Sequence, residues 1–132
     1  MYKKIDLQTS NKVELIDITK QIRKVILEST INNGIVIVYT PHTTAAITIN
    51  ENADPDVVED ILMEVNRMVS FNDGYQHSEG NSAAHIKSSL FGVSETIFLE
   101  NGELLLGTWQ GIYFCEFDGS RHRKVIIKII EG

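Results

Sequence analysis

The last third of this chain alternates short apolar runs with Asn-Gly and Asp-Gly dipeptides, and that rhythm limits the fold more than any other feature. ETIFLE is followed by Asn101-Gly102, ELLLGTWQGIYFCEF by Asp118-Gly119, and RHRKVIIKII comes last. Both dipeptides adopt the left-handed backbone of tight turns, so the segment predicts successive antiparallel strands joined as hairpins.

The earlier chain mixes strands with helices. Ile5 and Leu7 alternate with Asp6 and Gln8, and VELIDI follows a turn at Ser10 and Asn11, which predicts a first hairpin. Thr19 is placed to cap a helix from Lys20 to about Thr30, with Ile22, Val25, Ile26 and Ser29 on one face and Asn33-Gly34 as the stop. Ile35 to Tyr39 is a strand buried on both faces; Pro41 ends it, and AAITIN resumes after His42-Thr43-Thr44. ADPDVVEDILMEVNRMV is the clearest helix, capped by Asp54 with Pro55 first, and turning Val58, Ile61, Leu62, Val65 and Val69 inward. A polar stretch from Ser70 to Asn81 leads into SAAHIKSSLFG, a short helix capped by Ser82 and closed by Gly92. This order predicts one α+β domain over residues 1–132, a mainly antiparallel sheet with helices packed on one side.

Composition excludes several classes of function. No apolar run approaches the roughly 18 residues of a membrane span, and MYKKIDLQTS lacks the apolar centre of a signal peptide, so a cytoplasmic location is expected. The net charge of −6 argues against a general nucleic-acid surface, which needs clustered Lys and Arg. Cys115 is the only cysteine, so no disulfide forms within the chain; in IYFCEF it fits a small buried apolar residue better than a catalytic thiol.

The residues able to carry chemistry lie in the polar segments. His42, His77 and His85 fall beside small and polar residues, and loops returning to one end would gather them with Glu51 or Glu79. Three neutral imidazoles with an open position can hold a catalytic metal; the alternative is three structural or surface histidines. In the first turn of its helix, His85 meets a dipole that disfavours imidazolium, and the N–H groups of Ala83 and Ala84 can bind a phosphate oxygen, unless Asn81 and Ser82 simply cap the helix. Thr43 and Thr44 offer hydroxyls beside His42, with Asn50, Glu51 and Asn52 beyond the next strand. The two glycines around Trp109 and Gln110 suggest a bulge or close approach by a ligand, with Trp109 stacking on a heteroaromatic ring or packing in the core. Arg121 and Arg123, two apart on a strand, share a face suited to a phosphate or to solvent.

Three blocks, PHTTAAITINENADPDV from Pro41, HSEGNSAAHIKSSLFG from His77 and LGTWQGIYFCEFDGSRHRKV from Leu106, resemble the YjbQ-like family in order and interval. Ser120 stands where that pattern often has proline. The resemblance implies an α+β fold with an antiparallel sheet, a homotrimer with a polar pocket near subunit contacts, and a divalent metal, zinc, magnesium or manganese, at His42, His77 and His85. It also implies a thiamine-phosphate synthase that joins a pyrimidine diphosphate to a thiazole phosphate and releases pyrophosphate. In that reading His77, Glu79 and Glu51 are catalytic, and Thr43, Thr44, Asn81, Ser82, Trp109, Gln110 and Arg121 bind the phosphorylated ligand. The alternatives are a non-catalytic trimer that binds a phosphorylated metabolite or metal, and a metal-assisted hydrolase using the same residues.

Overall fold

Eight strands and three helices appear in the computed structural model, which covers residues 1–132. They are β1 (Lys3–Gln8), β2 (Glu14–Asp17), α1 (Thr19–Ser29), β3 (Gly34–Tyr39), β4 (Ala45–Glu51), α2 (Pro55–Met68), α3 (Ser82–Phe91), β5 (Ser94–Glu100), β6 (Glu103–Leu104), β7 (Gln110–Glu116) and β8 (His122–Glu131). The α+β class and the antiparallel pairing expected from sequence are both present. The strands divide between two sheets, one ordered β1-β8-β3-β5-β6 and the other β2-β7-β4.

Alternation along the strands sets the layers. Leu7, Val36, Val38, Ile97, Leu99, Val125 and Ile127 project from the larger sheet against Ala45, Ile47, Ile112 and Phe114 from the smaller one, and Ile18, just before α1, joins the same core with Ile22 and Ile26 of that helix. The opposite face of the smaller sheet presents Ala46 and Cys115, which pack with Phe117 and Ala84 of α3. Small residues on the inward face of α3 allow this close approach, and the Ser88 hydroxyl donates to the Ala45 carbonyl at 2.6 Å. Cys115 is buried, which pushes its thiol pKa up and suits the structural role.

Several local expectations change once two sheets are recognised. β1 pairs with β8 and β2 with β7, so the first two strands do not form a hairpin; the chain crosses between sheets at Thr9 to Lys12. Asp118-Gly119 likewise carries the chain from β7 in one sheet to β8 in the other. Asn101-Gly102 does make the expected tight turn between β5 and β6, with φ of +52° and +80°. α1 begins at Thr19 itself. The Asp17 carboxylate accepts from its N–H at 2.9 Å and its hydroxyl at 2.6 Å, while that hydroxyl accepts the Ile112 N–H at 2.9 Å. Asp54 caps α2 as expected, accepting the Asp56 N–H at 2.9 Å, but Val58, Ile61, Leu62 and Val65 are only half-buried.

The crossings meet at a buried ion pair. Glu116, last in β7, accepts from Arg123 Nε at 2.8 Å and from Arg123 Nη2, from the Thr9 hydroxyl at 2.7 Å and from the Asp118 N–H at 3.0 Å. Burial alone would raise the Glu116 pKa, but these donors hold it below the usual 4.5. Since the folded carboxyl binds its proton at lower pH than the unfolded one, its contribution to stability is complete above about pH 4.5 and is lost as pH falls through the folded pKa. Arg123→Met should cost about 3–5 kcal/mol in denaturant unfolding at pH 7, because it leaves a buried carboxylate uncompensated. Glu116→Leu with Arg123→Met should recover much of that loss; a double variant as unstable as the single one would refute this account.

Candidate functional site

Turns, the start of α3 and the β7–β8 crossing place the polar residues in two groups. The first contains His42, Thr43, His77, His85, Asn81, Ser82 and Arg121. His42 and Thr43 line a hollow of about 630 Å³ that reaches His85. His85 also borders a second hollow of about 460 Å³ with His77 and Ser82. The His77 and His85 rings stand edge to face, centroids 5.6 Å apart, and His77 Nε2 lies 3.8 Å from Glu79 Oε2. Their segment is anchored by Phe71, whose ring faces Lys87 Nζ at 4.2 Å and Lys12 Nζ at 4.4 Å. Lys87 is wholly buried; burial and then the charge of Lys12 lower its pKa.

His42 does not belong to a metal centre with the other two. Its Nε2 accepts the Lys124 backbone N–H at 2.9 Å, which places the proton of the neutral ring on Nδ1. Burial and the charge of Arg123 hold its pKa below 6.5. One nitrogen is therefore an acceptor already in use and the other carries hydrogen, so neither has a free lone pair for a metal. No group of three or more His, Cys, Asp or Glu side chains is placed to hold a metal ion, and the expected centre at His42, His77 and His85 does not form within a chain.

At the start of α3, Asn81 occupies the N-cap position without making a side-chain cap, and Ser82 is the first helical residue rather than the cap. Asn81 Nδ2 instead donates to Asp118 Oδ2 at 2.9 Å. The same oxygen accepts from Arg121 Nη2 at 3.0 Å, and Arg121 Nε donates to the Asp118 carbonyl at 2.7 Å. A guanidinium is thereby fixed beside the positive end of a helix. Asp118 is the site residue missed in sequence, where Asp before Gly signifies a turn; its spacing of three from Arg121 was the available signal. Arg123 is turned into the protein by Glu116, so the two arginines do not form one exposed pair. Thr44 is buried and its hydroxyl accepts from Arg123 Nη2 at 2.9 Å, which removes it from the ligand-facing set.

The second group lies at the other end of β4, about 20 Å away at roughly 3.3 Å per residue. Glu51 ends that strand and its carbonyl accepts the Tyr113 hydroxyl at 2.9 Å. Gln110 Oε1 accepts the Gly107 N–H at 2.7 Å, and Trp109 is 62% exposed rather than packed in the core. Gly111 is required there, because a Cβ would stand 2.5 Å from Asn52 Nδ2. Within one chain Glu51 is therefore too remote to act with His77 and His85.

Fold and site together define an α+β protein of two antiparallel sheets, with an imidazole- and guanidinium-bearing surface around an uncapped helix start. The chain belongs to the UPF0047 YjbQ-like family, whose description matches residues 3–132. It is 53% identical over 127 residues to a UPF0047 protein of Methanocaldococcus jannaschii, covering 96% of this chain and 92% of the relative. It is 49% identical over 131 residues to YugU of Bacillus subtilis, covering 98% and 99%. The crystal structure of an uncharacterised YjbQ/UPF0047 protein from Clostridium acetobutylicum superposes with a TM-score of 0.95 at 55% identity, over 97% of this chain and 99% of that one. A YbjQ-like protein of unknown function from Sulfolobus solfataricus also gives 0.95, at 31% identity over 100% and 97%.

These comparisons overturn the thiamine-phosphate synthase expectation. The two structures are described as uncharacterised and of unknown function, the two relatives carry only the UPF0047 family name, and none of the four is described as a transferase. The sequence blocks identify the family without identifying a reaction. No helix is long and apolar enough to cross a membrane.

The His42 hydrogen bond has a measurable consequence. Because the folded ring takes up its proton at lower pH than the unfolded one, its stabilising effect is complete above pH 6.5 and is lost as pH falls through the folded pKa. An NMR titration should find His42 as the Nδ1–H tautomer with a midpoint below 6.5; a midpoint at or above that value would remove the argument against metal ligation.

Proposed function

We propose that the protein is a non-catalytic binder of a small phosphorylated metabolite and works as a homotrimer. The observation that carries this reading is the start of α3, which has no side-chain cap and is flanked by Arg121. Backbone N–H groups at a helix start favour an anion, and a guanidinium suits phosphate through charge-assisted bonds. Arg121 remains 54% exposed, with Nη1 uncommitted to any protein acceptor. Thr43, Ser82, His77 and His85 line two hollows that meet at His85 and supply further donors and acceptors there. The two imidazoles also suit a divalent cation, zinc, magnesium or manganese, arriving with the phosphate. Glu79, beside His77, is assigned to tuning that ring.

Assembly gives the second polar group a role. The outer face of the larger sheet carries Phe98, Ile35 and Ile130 in one cross-strand row, with Leu105 exposed nearby. An apolar row of this kind suits a subunit contact. Glu51, Trp109 and Gln110 cannot reach the α3 site of their own chain, but in a closed ring the group from one subunit can complete the site of the next.

Inorganic phosphate should bind the native protein in calorimetric titration, and Arg121→Ala should weaken binding roughly tenfold or more with the fold unchanged, the loss of about 1.5 kcal/mol expected for one bond to a charged group. Equal affinity in the folded variant would end the phosphate assignment.

Sedimentation should show a trimer that Phe98→Glu dissociates. A native monomer at micromolar concentration would end the shared-site reading.

A further inference from the structure

We propose that Asp118 is a positioning residue that keeps the start of α3 open by holding Asn81 away from it. Asparagine is among the strongest N-cap residues, and its usual role is to accept a backbone N–H of the first helical turn. Asn81 stands at that position yet makes no cap bond. Its Nδ2 is drawn to Asp118 Oδ2 at 2.9 Å, and its Oδ1 is left buried with no partner. A buried acceptor without a donor is destabilising, while uncapped N–H groups lie next to it on the same residue's helix. The conflict persists because Asp118 is itself fixed. Its N–H donates to Glu116 Oε2 at 3.0 Å, its carbonyl accepts Arg121 Nε at 2.7 Å, and its Oδ2 also receives Arg121 Nη2 at 3.0 Å.

One carboxylate oxygen thus orients the guanidinium and withholds the competing internal cap. Without Asp118, Asn81 turns and caps α3 itself, so the helix start is filled by the protein's own oxygen. This inference rests on the phosphate-site reading for its functional sense, although the Asp118–Asn81 competition can be measured without a ligand.

The test uses the full-length protein, Asp118→Ala, Asn81→Asp and inorganic phosphate. Asn81→Asp cannot donate to Asp118 and is repelled by it, so its carboxylate turns to the helix start. The Ala84 N–H already donates to the Asn81 carbonyl at 3.1 Å, so the open amides are those of Ser82 and Ala83. Both variants should slow their hydrogen exchange in phosphate-free buffer and reduce phosphate affinity roughly tenfold, a difference of about 1.4 kcal/mol. In the native protein those amides should exchange faster and become protected on adding phosphate. Unchanged or faster exchange in both folded variants would overturn the role of Asp118. If phosphate fails to bind the native protein while exchange slows in the variants, the positioning role stands and the phosphate reading falls. Should Asp118→Ala unfold, Asn81→Asp decides alone: fast amides and native phosphate affinity in it refute the proposal.

Discussion

The buried pair between Glu116 and Arg123 determines how the two sheets are joined. Glu116 ends β7 in the smaller sheet, whereas Arg123 is the second residue of β8 in the larger. The pair also fastens two of the other five places where the chain passes between sheets. Thr9, after β1, donates to Glu116, and Thr44, just before β4, accepts from Arg123. Desolvating two charges is costly, so such a pair persists where its remaining donors and acceptors are also satisfied. Here the Asp118 N–H and two threonine hydroxyls do so, which makes the arrangement specific to one registration of the sheets.

The candidate site inherits its geometry from that junction. Thr9 and Arg121 are bonded in both directions, the Thr9 N–H to the Arg121 carbonyl at 3.0 Å and the Arg121 N–H to the Thr9 hydroxyl at 2.8 Å. Asp118 is tied to Glu116, and His42 is tied to Lys124 beside Arg123. The backbone at Arg121, Asp118 and Lys124 is therefore anchored to the buried pair and its partners. Rigid support of this kind reduces the ordering cost of binding.

Sequence patterns revealed the elements more readily than their partners. Asp54-Pro55, Asn101-Gly102 and Gly92 each mark a boundary through local backbone chemistry, and each lies at one in the structure. Asp118-Gly119 has the same local chemistry as Asn101-Gly102, but whether the following strand pairs with its predecessor or leaves for another sheet depends on burial across the whole fold. The ion pair was hidden for the same reason, since Glu116 and Arg123 are seven residues apart and meet only after that crossing. Of the residues on the α3 surface, the sequence singles out His77, His85, Asn81 and Ser82 by the density of polar residues near a helix start, and Arg121 by its place on a strand after the Asp118-Gly119 turn. Thr44 and His42 are instead engaged by Arg123 and by the Lys124 N–H, because a hydroxyl and an imidazole can equally well satisfy the protein's own groups, and only three-dimensional contacts distinguish the two uses.

A chain with a net charge of −6 repels anions at a distance, so any affinity for phosphate must arise from contacts shorter than the screening length of about 8 to 10 Å. The arginines divide the work accordingly. Arg123 is neutralised in the interior, where an unpaired charge would destabilise the fold, and contributes little field outside. Arg121 shares its charge with a carboxylate that takes only part of its hydrogen-bonding capacity, leaving Nη1 for a ligand. The helix start adds directed N–H groups without adding net charge. This combination favours an anion that can approach closely and accept several hydrogen bonds over one attracted only by field, which is the chemical character of a phosphate group on a small molecule.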